Sequence, residues 1–232
     1  MKIKFGVIVF PGSNCDHDAY YSLRKVLNYD VKFLWHKDSD LSDCDVIILP
    51  GGFSYGDYLR AGAIAKLSPI MNSVIEFAEK GGIVIGICNG FQVLVETGLL
   101  PGVLIKNSNL RFICKDVYIK AANTNTIFTN GLSKNILKIP IAHGEGNYYA
   151  EKEVIDNLVK NDQIVFKYCS EDGLISDEFN PNGSILSIAG IQNIKGNVLG
   201  MMPHPERSCD PSLFKTDGAQ IFNSVFNFLI SR

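Results

Sequence analysis

The chain has 232 residues, of which 46% are hydrophobic and 20% are charged, and its formal net charge is −2. This composition is typical of a folded globular protein with a sizeable core. Lysine and arginine are scattered singly, so no basic stripe indicates nucleic acid binding. The apolar amino-terminal stretch is too short for a membrane span and lacks a signal-peptide cleavage site, so we expect a cytosolic protein that does not bind membranes.

The six cysteines form neither a CxxC pair nor a cluster with zinc-like intervals, so no metal site is predicted. In a reducing compartment most of them are expected to be free thiols. They lie at Cys15, Cys44, Cys88, Cys114, Cys169 and Cys209.

Short apolar, β-branched runs predict strands along the whole chain. The predicted strands cover residues 5–10, 31–35, 46–49, 83–87, 117–121, 139–142, 164–168, 185–191 and 198–201. The first four are almost entirely apolar, which is typical of parallel strands covered on both faces. Residues 117–142 lack a strong helix signal, so an antiparallel edge is expected there.

Helices are predicted between these strands. One covers residues 16–27, and a second begins at Ser68-Pro69, with the serine as N-cap, and ends before Gly81. The last begins near Asp217 and carries its apolar residues on one stripe. The alternation of strands and helices along the chain predicts an α/β fold with a flavodoxin-like core. We expect a doubly wound, mostly parallel sheet with a mixed edge, flanked by helices. Residues 1–232 contain no linker or repeat and are interpreted as a single domain.

Sites in such sheets lie at the carboxyl ends of the strands, which gives a map of candidate loops. Four loops rich in glycine, proline and polar residues follow predicted strands: "FPGSNCDHD", "LPGGFSYGD", "GICNGF" and "MMPHPER". The fold is expected to bring these loops to one rim of the sheet.

Cys88 lies in "GICNG", between a predicted strand and a predicted helix. A strand that turns at once into a helix forms a nucleophile elbow, in which flanking glycines let neighbouring chain approach closely. The amino end of a helix also favours the thiolate form of a cysteine. A buried structural cysteine is equally compatible with this pentapeptide by itself.

A cysteine nucleophile needs a base, and the best candidate is His204 in "MMPHPER". Prolines on both sides hold the chain extended, so His204 and Glu206 project to the same side and the carboxylate can orient the imidazole. A polar turn is the alternative interpretation of this segment alone. His36 is expected at the surface, and His17 is expected to be solvated.

An acyl-transfer site also needs hydrogen-bond donors for the oxyanion. The "PGGFSYGD" segment offers the backbone N–H of Gly52, and the N–H of Asn89 follows the nucleophile directly. A tight turn would explain the glycines equally well, but a P-loop would not, because its Lys-Ser/Thr pair is missing. Cys15, in the first loop, is interpreted as a structural residue.

Together these motifs resemble the class I (triad) glutamine amidotransferases. The longer segments are similar to the glutaminase subunit of phosphoribosylformylglycinamidine synthase, an enzyme of purine biosynthesis. They are "FPGSNCDHD", "GGFSYGDYLRAGAIA", "GICNGFQVL", "RFICK", "PIAHGEGNYY" and "GMMPHPER". The resemblance extends from residue 10 to residue 207.

The resemblance implies a glutaminase that forms a thioester. Cys88 attacks the glutamine carboxamide, His204 transfers the protons, and Glu206 orients His204. Four further residues are implied to hold glutamine or line its pocket: Gln92, Arg111, Phe112 and His143.

The resemblance also implies partners. Ammonia would pass to a large synthetase subunit that uses ATP and Mg²⁺, and a small subunit would bridge the two, while this chain itself needs no cofactor. The chain departs from the family pattern at "KAANTNTIFT", residues 120–129, where the family often has "VEN" followed by Pro-Phe-Thr. Ala122 and Ile127 therefore do not supply the polar and the conformationally rigid side chain that the family pattern has here, in part of the expected contact surface with the synthetase.

Two alternatives stay open at this point. One is an elbow-cysteine hydrolase or peptidase of related fold, although in those proteins a histidine usually follows the cysteine, whereas here Asn89 does. The other is a non-catalytic flavodoxin-like module whose "FPGSN" loop holds a phosphate. That interpretation gives the pair formed by His204 and Glu206 no role.

Overall fold

The computed structural model describes residues 3–232. The strands in this range are β1 (Lys4–Val9), β2 (Asp30–Trp35), β3 (Val46–Leu49), β4 (Ile83–Ile87), β5 (Val103–Ile105), β6 (Ile113–Ala121), β7 (Ile136–His143), β8 (Asn147–Tyr149), β9 (Ile164–Cys169), β10 (Ile188–Gln192) and β11 (Val198–Met201). Nine of them form one sheet in the order β2-β1-β3-β4-β11-β10-β9-β6-β7, and β5 pairs with β8 in a separate two-stranded sheet.

The large sheet has a parallel half and an antiparallel half. From β2 through β1, β3 and β4 to β11, every neighbouring pair is parallel. From β11 through β10, β9 and β6 to β7, every neighbouring pair is antiparallel. The predicted mixed sheet is confirmed, and its antiparallel part includes the expected edge formed by β6 and β7.

The helices are α1 (Asp16–Tyr21), α2 (Pro69–Glu79), α3 (Asn89–Glu96), α4 (Lys152–Lys160) and α5 (Ala219–Ile230). A π-helical segment, Ser22–Val26, continues α1, so the two together account for the helix predicted over residues 16–27. Pro69 begins α2 as predicted. Ser68 is its N-cap by position, but the hydroxyl lies 2.9 Å from the Tyr55 hydroxyl and makes no capping bond.

Two features differ from the sequence predictions. Residues 185–191 are not one strand, because Ile185–Ser187 form a 3-10 turn in which Leu186 has a φ of +53°, and β10 begins only at Ile188. The apolar run by itself does not reveal this left-handed backbone. The strands β5 and β8 carry no sequence prediction, since three residues are too few for a periodic signal.

The central strands of the large sheet are the most deeply buried part of the fold. All residues of β3, β4 and β11 are buried, and α3 packs against these three strands. The loops at their carboxyl ends are thus held on a rigid base. No helix within residues 3–232 is long and apolar enough to cross a membrane.

Candidate active site

The four loops mapped from the sequence meet at one rim of the sheet. They follow β1, β3, β4 and β11, which are consecutive parallel strands in the sheet order. Neighbouring parallel strands end on the same side, so their carboxyl-terminal loops are adjacent. The prediction that these loops come together is confirmed.

Cys88 occupies a strained elbow between β4 and α3. Its backbone has a φ of +50° and a ψ of −104°, a conformation that residues other than glycine rarely adopt. A Cβ on Gly90 would lie 2.0 Å from the Leu49 carbonyl oxygen, so the glycine lets α3 lie directly against the end of β3. The Cys88 N–H donates to the Met201 carbonyl at 2.8 Å, which ties the elbow to β11.

His204 and Glu206 form a buried pair beside this elbow. Their side chains are 1% and 3% exposed, and Nδ1 of the imidazole lies 2.6 Å from Oε1 of the carboxylate. Because a carboxylate can only accept, Nδ1 carries the proton in this pair. The pairing was predicted, but Pro205–Arg207 form a 3-10 turn rather than extended chain. The His204 N–H donates to the Pro140 carbonyl at 2.8 Å and anchors the segment on β7.

The surroundings of His204 favour its charged form. Burial opposes a charge on the imidazole, but the Glu206 carboxylate and the sulfurs of Cys88 and Cys15 outweigh it and raise the pKa of His204 well above its ordinary value. Nε2 is buried and has no aligned hydrogen-bond partner among residues 3–232. The site can therefore hold an imidazolium next to a sulfur nucleophile.

Two predicted oxyanion donors lie at this rim. Neither the Gly52 N–H nor the Asn89 N–H donates a hydrogen bond to another residue in the part of the chain that the structure describes. Gly52 lines a cavity together with His204, and Asn89 is the first residue of α3. Both N–H groups are thus available to a bound ligand, and their role stays a prediction.

Gln92 is fixed by a chain of amide hydrogen bonds. The Asn89 amide nitrogen donates to Gln92 Oε1 at 2.9 Å and to Asp57 Oδ1 at 3.2 Å. The Gln92 amide donates in turn to the Glu145 carbonyl at 2.6 Å. Burial and the nearby Glu145 carboxylate raise the pKa of Asp57 to about 6, against the effect of the Asn89 hydrogen bond. This network holds Gln92 one helical turn after Cys88.

A cavity of about 150 Å³ opens beside the imidazole. Its lining consists of Asn14, Cys15, Gly52, Phe53, Phe112, Ala142, His204 and Arg207. The rings of Phe53 and Phe112 lie 6.4 Å apart, centroid to centroid, and both are about half exposed. Phe112 thus lines this cavity, and its implied role toward glutamine stays a prediction.

The other two implied pocket residues lie outside this cavity lining. Arg111 is exposed, and its carbonyl accepts a hydrogen bond from Asn107 at 2.8 Å. His143 is buried with Nδ1 3.1 Å from Asn107 Oδ1, and burial, with a smaller effect of His204, lowers its pKa to about 4. His143 is therefore a neutral imidazole at pH 7.

One residue requires correction, and a second lies closer to the site than expected. His36 is 4% exposed rather than at the surface, with Nδ1 2.7 Å from the Tyr55 hydroxyl, and burial lowers its pKa. Cys15, interpreted from the sequence as a structural residue, lines the cavity beside His204 and accepts a hydrogen bond from Arg207 at 2.9 Å. Its place in the first rim loop was the signal that could have identified it.

All six cysteines are free thiols, as predicted. Within residues 3–232, one group has the spacing of a metal site: Cys15, His204 and Glu206, with ligand atoms within 4.8 Å of one another. Nδ1 of His204 is already bonded to Glu206, and the Arg207 guanidinium lies against Cys15. A positive charge at this position disfavours a cation, so the arrangement fits acid–base and nucleophilic chemistry better than metal binding.

Comparison with known proteins agrees with this geometry. The sequence profile of the CobB/CobQ-like glutamine amidotransferase domain matches residues 2–224. The phosphoribosylformylglycinamidine synthase subunit PurQ of Koribacter versatilis is 56% identical over 99% of this chain and 100% of its own length. The PurQ subunit of Salinibacter ruber is 54% identical over 98% of this chain and 97% of its own length.

The chain belongs to the glutamine amidotransferase family, among the PurQ subunits. A solved structure agrees: a chain in the structure of PurLQS from Thermotoga maritima superposes with a TM-score of 0.86 at 43% identity, covering 99% of this chain and 100% of that chain. The amidotransferase family accounts for both the elbow cysteine and the paired histidine and glutamate. The phosphate-binding module leaves that pair without a role and is not supported.

Proposed function

We propose that this amidotransferase is the glutaminase subunit of phosphoribosylformylglycinamidine synthase and hydrolyses glutamine to glutamate and ammonia. The observation that carries the proposal is the strained Cys88 elbow beside the buried pair of His204 and Glu206. This arrangement supplies a nucleophile, a proton carrier and an orienting carboxylate at one point. The PurQ names of relatives more than half identical support the assignment to this synthase.

The first half-reaction acylates Cys88. The thiolate adds to the side-chain carbonyl carbon of glutamine, and the resulting oxyanion accepts hydrogen bonds from the N–H groups of Gly52 and Asn89. The His204 imidazolium then donates its Nε2 proton to the leaving nitrogen, and the C–N bond breaks to release ammonia. Glu206 holds the ring through Nδ1 during this transfer. The product is a γ-glutamyl thioester on Cys88.

The second half-reaction regenerates the nucleophile. His204, now neutral, removes a proton from water, and the hydroxide adds to the thioester carbon. The same backbone donors stabilise the second oxyanion, and its collapse breaks the C–S bond. Glutamate leaves, Cys88 returns to the thiolate, and His204 is again an imidazolium. The sum is glutamine plus water giving glutamate plus ammonia.

The synthetase step belongs to partner subunits in this proposal. Ammonia passes directly to a large synthetase subunit, which uses ATP and Mg²⁺ to convert formylglycinamide ribonucleotide to formylglycinamidine ribonucleotide, and a small subunit bridges the two. The likeness to a chain of the Thermotoga maritima PurLQS structure supports such an assembly. This chain then needs no cofactor of its own and works in the cytoplasm, where purine biosynthesis takes place.

The proposal is tested by glutamate release from glutamine in the complex reconstituted with the synthetase subunits of the same organism. Cys88→Ala should lower this rate by at least about a thousand-fold, since the covalent route is lost. The synthetase activity of the same complex with added ammonium should remain, which shows that the complex is intact.

Cys114→Ser is the matched control, because Cys114 is an exposed free thiol. It should leave the glutamine-dependent rate unchanged. Full glutamine-dependent activity of Cys88→Ala, or labelling of Cys114 in place of Cys88 by a glutamine-like diazo-ketone, would contradict the proposal.

A further inference from the structure

Cys15 lies within reach of the catalytic imidazole. Its side chain is 2% exposed, and its sulfur, a ring nitrogen of His204 and a carboxylate oxygen of Glu206 all lie within 4.8 Å of one another. Nothing in the two half-reactions above uses this second thiol. Its position nevertheless makes it a neighbour of the group that carries every proton in the reaction.

The absence of a side chain at Gly51 lets Cys15, Cys88 and His204 lie close together. A Cβ on Gly51 would lie 2.7 Å from Cε1 of His204 and 3.3 Å from both Cys15 Sγ and Cys88 Cβ. Contacts under 3.0 Å essentially do not occur, so any side chain here would displace the imidazole. Three side chains from three different loops thus converge on Gly51, which carries no side chain.

The sulfur of Cys15 is held by a fixed cation. Arg207 Nη2 donates to Cys15 Sγ at 2.9 Å, and Arg207 Nε donates to Asp18 Oδ2 at 2.9 Å. Asp18 belongs to α1, and Arg207 belongs to the turn that follows His204. The guanidinium therefore links the first loop to the histidine segment, and Cys15 accepts its hydrogen bond while the thiol itself donates to Asn14 Oδ1 at 4.0 Å.

We propose that Cys15 is a positioning residue for His204, whose sulfur, fixed by Arg207, holds the imidazole ring when Cys88 is covalently occupied. The inference rests on the proposed glutaminase function. In the thioester the Cys88 sulfur is bonded to carbon and carries no charge, and His204 is neutral, so the attraction between the Cys88 thiolate and the imidazolium is absent. The Cys15 sulfur remains in place through both half-reactions and supplies the missing contact.

The charged and titratable groups around His204 fix the direction of the expected pH effect. They are Glu206, Arg207, Cys88, Cys15 and His143, from the four segments that surround the ring. The Cys15 contact is one of the interactions that raise the pKa of His204. Without it the imidazolium loses its proton at a lower pH. The alkaline limb of the kcat profile, which needs the imidazolium as acid, then moves to lower pH.

The test compares Cys15→Ala and Cys15→Ser in the complex with the synthetase subunits, by glutamate release across pH. Cys15→Ala should lower kcat roughly ten-fold, the size expected for one lost orienting contact, with KM for glutamine changed less than two-fold. Its alkaline limb should shift to lower pH. Cys15→Ser keeps a hydrogen-bond acceptor and should recover part of kcat, while its alkaline limb stays shifted because the smaller hydroxyl oxygen lies farther from the imidazole.

A second comparison tests whether Cys15 orients His204 or only fills space in the protein interior. Arg207→Gln should lower kcat in the otherwise unchanged complex but have little further effect in Cys15→Ala, because Arg207 acts through the sulfur. Cys44→Ala is the control for loss of a buried thiol, since Cys44 packs against Gly6 in the core. It should leave the pH profile unchanged.

Several outcomes would overturn the inference. An unshifted alkaline limb in both Cys15 variants would do so, as would fully additive losses from Arg207→Gln and Cys15→Ala. If Cys15→Ala fails to fold, the alkaline limb of Cys15→Ser still decides the question. Glutamate release by the unaltered complex tests the proposed function separately, so the two can fail independently.

Discussion

At the scale of single residues, the neighbours of a thiol decide its chemistry. Cys44 and Cys88 are both buried, and neither is paired in a disulfide. Cys44 lies in the hydrophobic core, where burial raises its pKa to about 11, so it stays a neutral thiol. Cys88 lies at a helix N-terminus next to His204. In the proposed function, the same side chain is inert at one position and nucleophilic at the other.

His143 makes stability depend on pH. Its folded pKa is about 4 and its ordinary value is 6.5, so the folded protein binds fewer protons than the unfolded chain between these pH values. The contribution of His143 to stability is therefore complete above pH 6.5 and is lost as pH falls to 4, by about 3 kcal/mol in all. His143→Gln should flatten this part of the curve, measured by urea unfolding between pH 4.5 and 7.

His17→Gln is the matched control for the loss of an imidazole, because His17 is exposed, with its ring beside Phe33 at 5.2 Å between centroids. Asp57, whose folded pKa is raised to about 6, contributes the opposite slope below pH 6. Asp57 is present in every variant, so its slope cancels when the stability curve of one variant is subtracted from that of another. Parallel stability curves for the His143 variant and the unaltered chain would contradict the prediction.

At the scale of elements, the elbow depends on how closely α3 approaches β3. The strand β4 is fully buried, and α3 begins at the residue after Cys88 with no turn between them. Gly90 permits this approach because its Cα faces the Leu49 carbonyl. The sequence predicted the strand, the helix and the role of the glycines, since all three are encoded within a dozen consecutive residues.

Gly90→Ala should therefore disrupt the elbow. The new methyl group would lie 2.0 Å from a backbone oxygen, which cannot move without shifting β3. We expect a loss of about 3 kcal/mol or more in the free energy of unfolding, measured by urea denaturation, and little glutaminase activity in the protein that still folds.

Gly144→Ala serves as the steric control, because the nearest atom to its added Cβ would be 3.8 Å away, on Phe112. It should be tolerated within about 1 kcal/mol. Equal stability of the Gly90 and Gly144 variants would show that α3 has room to move away from β3.

At the scale of the whole molecule, the site opens among exposed apolar side chains. Phe53, Tyr58, Leu59 and Leu67 follow β3, and Phe112 faces Phe53 across the cavity. Leu59 is 90% exposed and Tyr58 is 73% exposed. Exposed apolar side chains of this kind are typical of a protein interface. In the proposed function, ammonia must leave this rim without passing through bulk water, which requires the synthetase subunit to cover it.

Leu59→Asp should therefore weaken the complex with the synthetase subunit at least about ten-fold in Kd, since a charge would replace apolar contact. Binding is measured by calorimetry with the purified subunits. The melting temperature of the chain alone should not change, because Leu59 is exposed.

Val159→Asp gives the matched control. Val159 is about half exposed on α4 and lies outside this rim. It should leave the affinity unchanged. A larger loss of affinity for Val159→Asp than for Leu59→Asp would place the docking surface at α4.

The sequence by itself determined the parallel half of the sheet, the elbow at Cys88 and the adjacency of His204 and Glu206. Each of these depends on residues close together in the chain, where periodicity, glycine spacing and proline fix the local backbone. The tertiary structure alone decided the contact of Cys15 with His204, the burial of His36 and the shortening of β10. Those depend on which loops the sheet order brings together. Only β3 and β4 lie between β1 and β11 in the sheet, so Cys15 and His204, nearly 190 positions apart in the sequence, share one buried cluster.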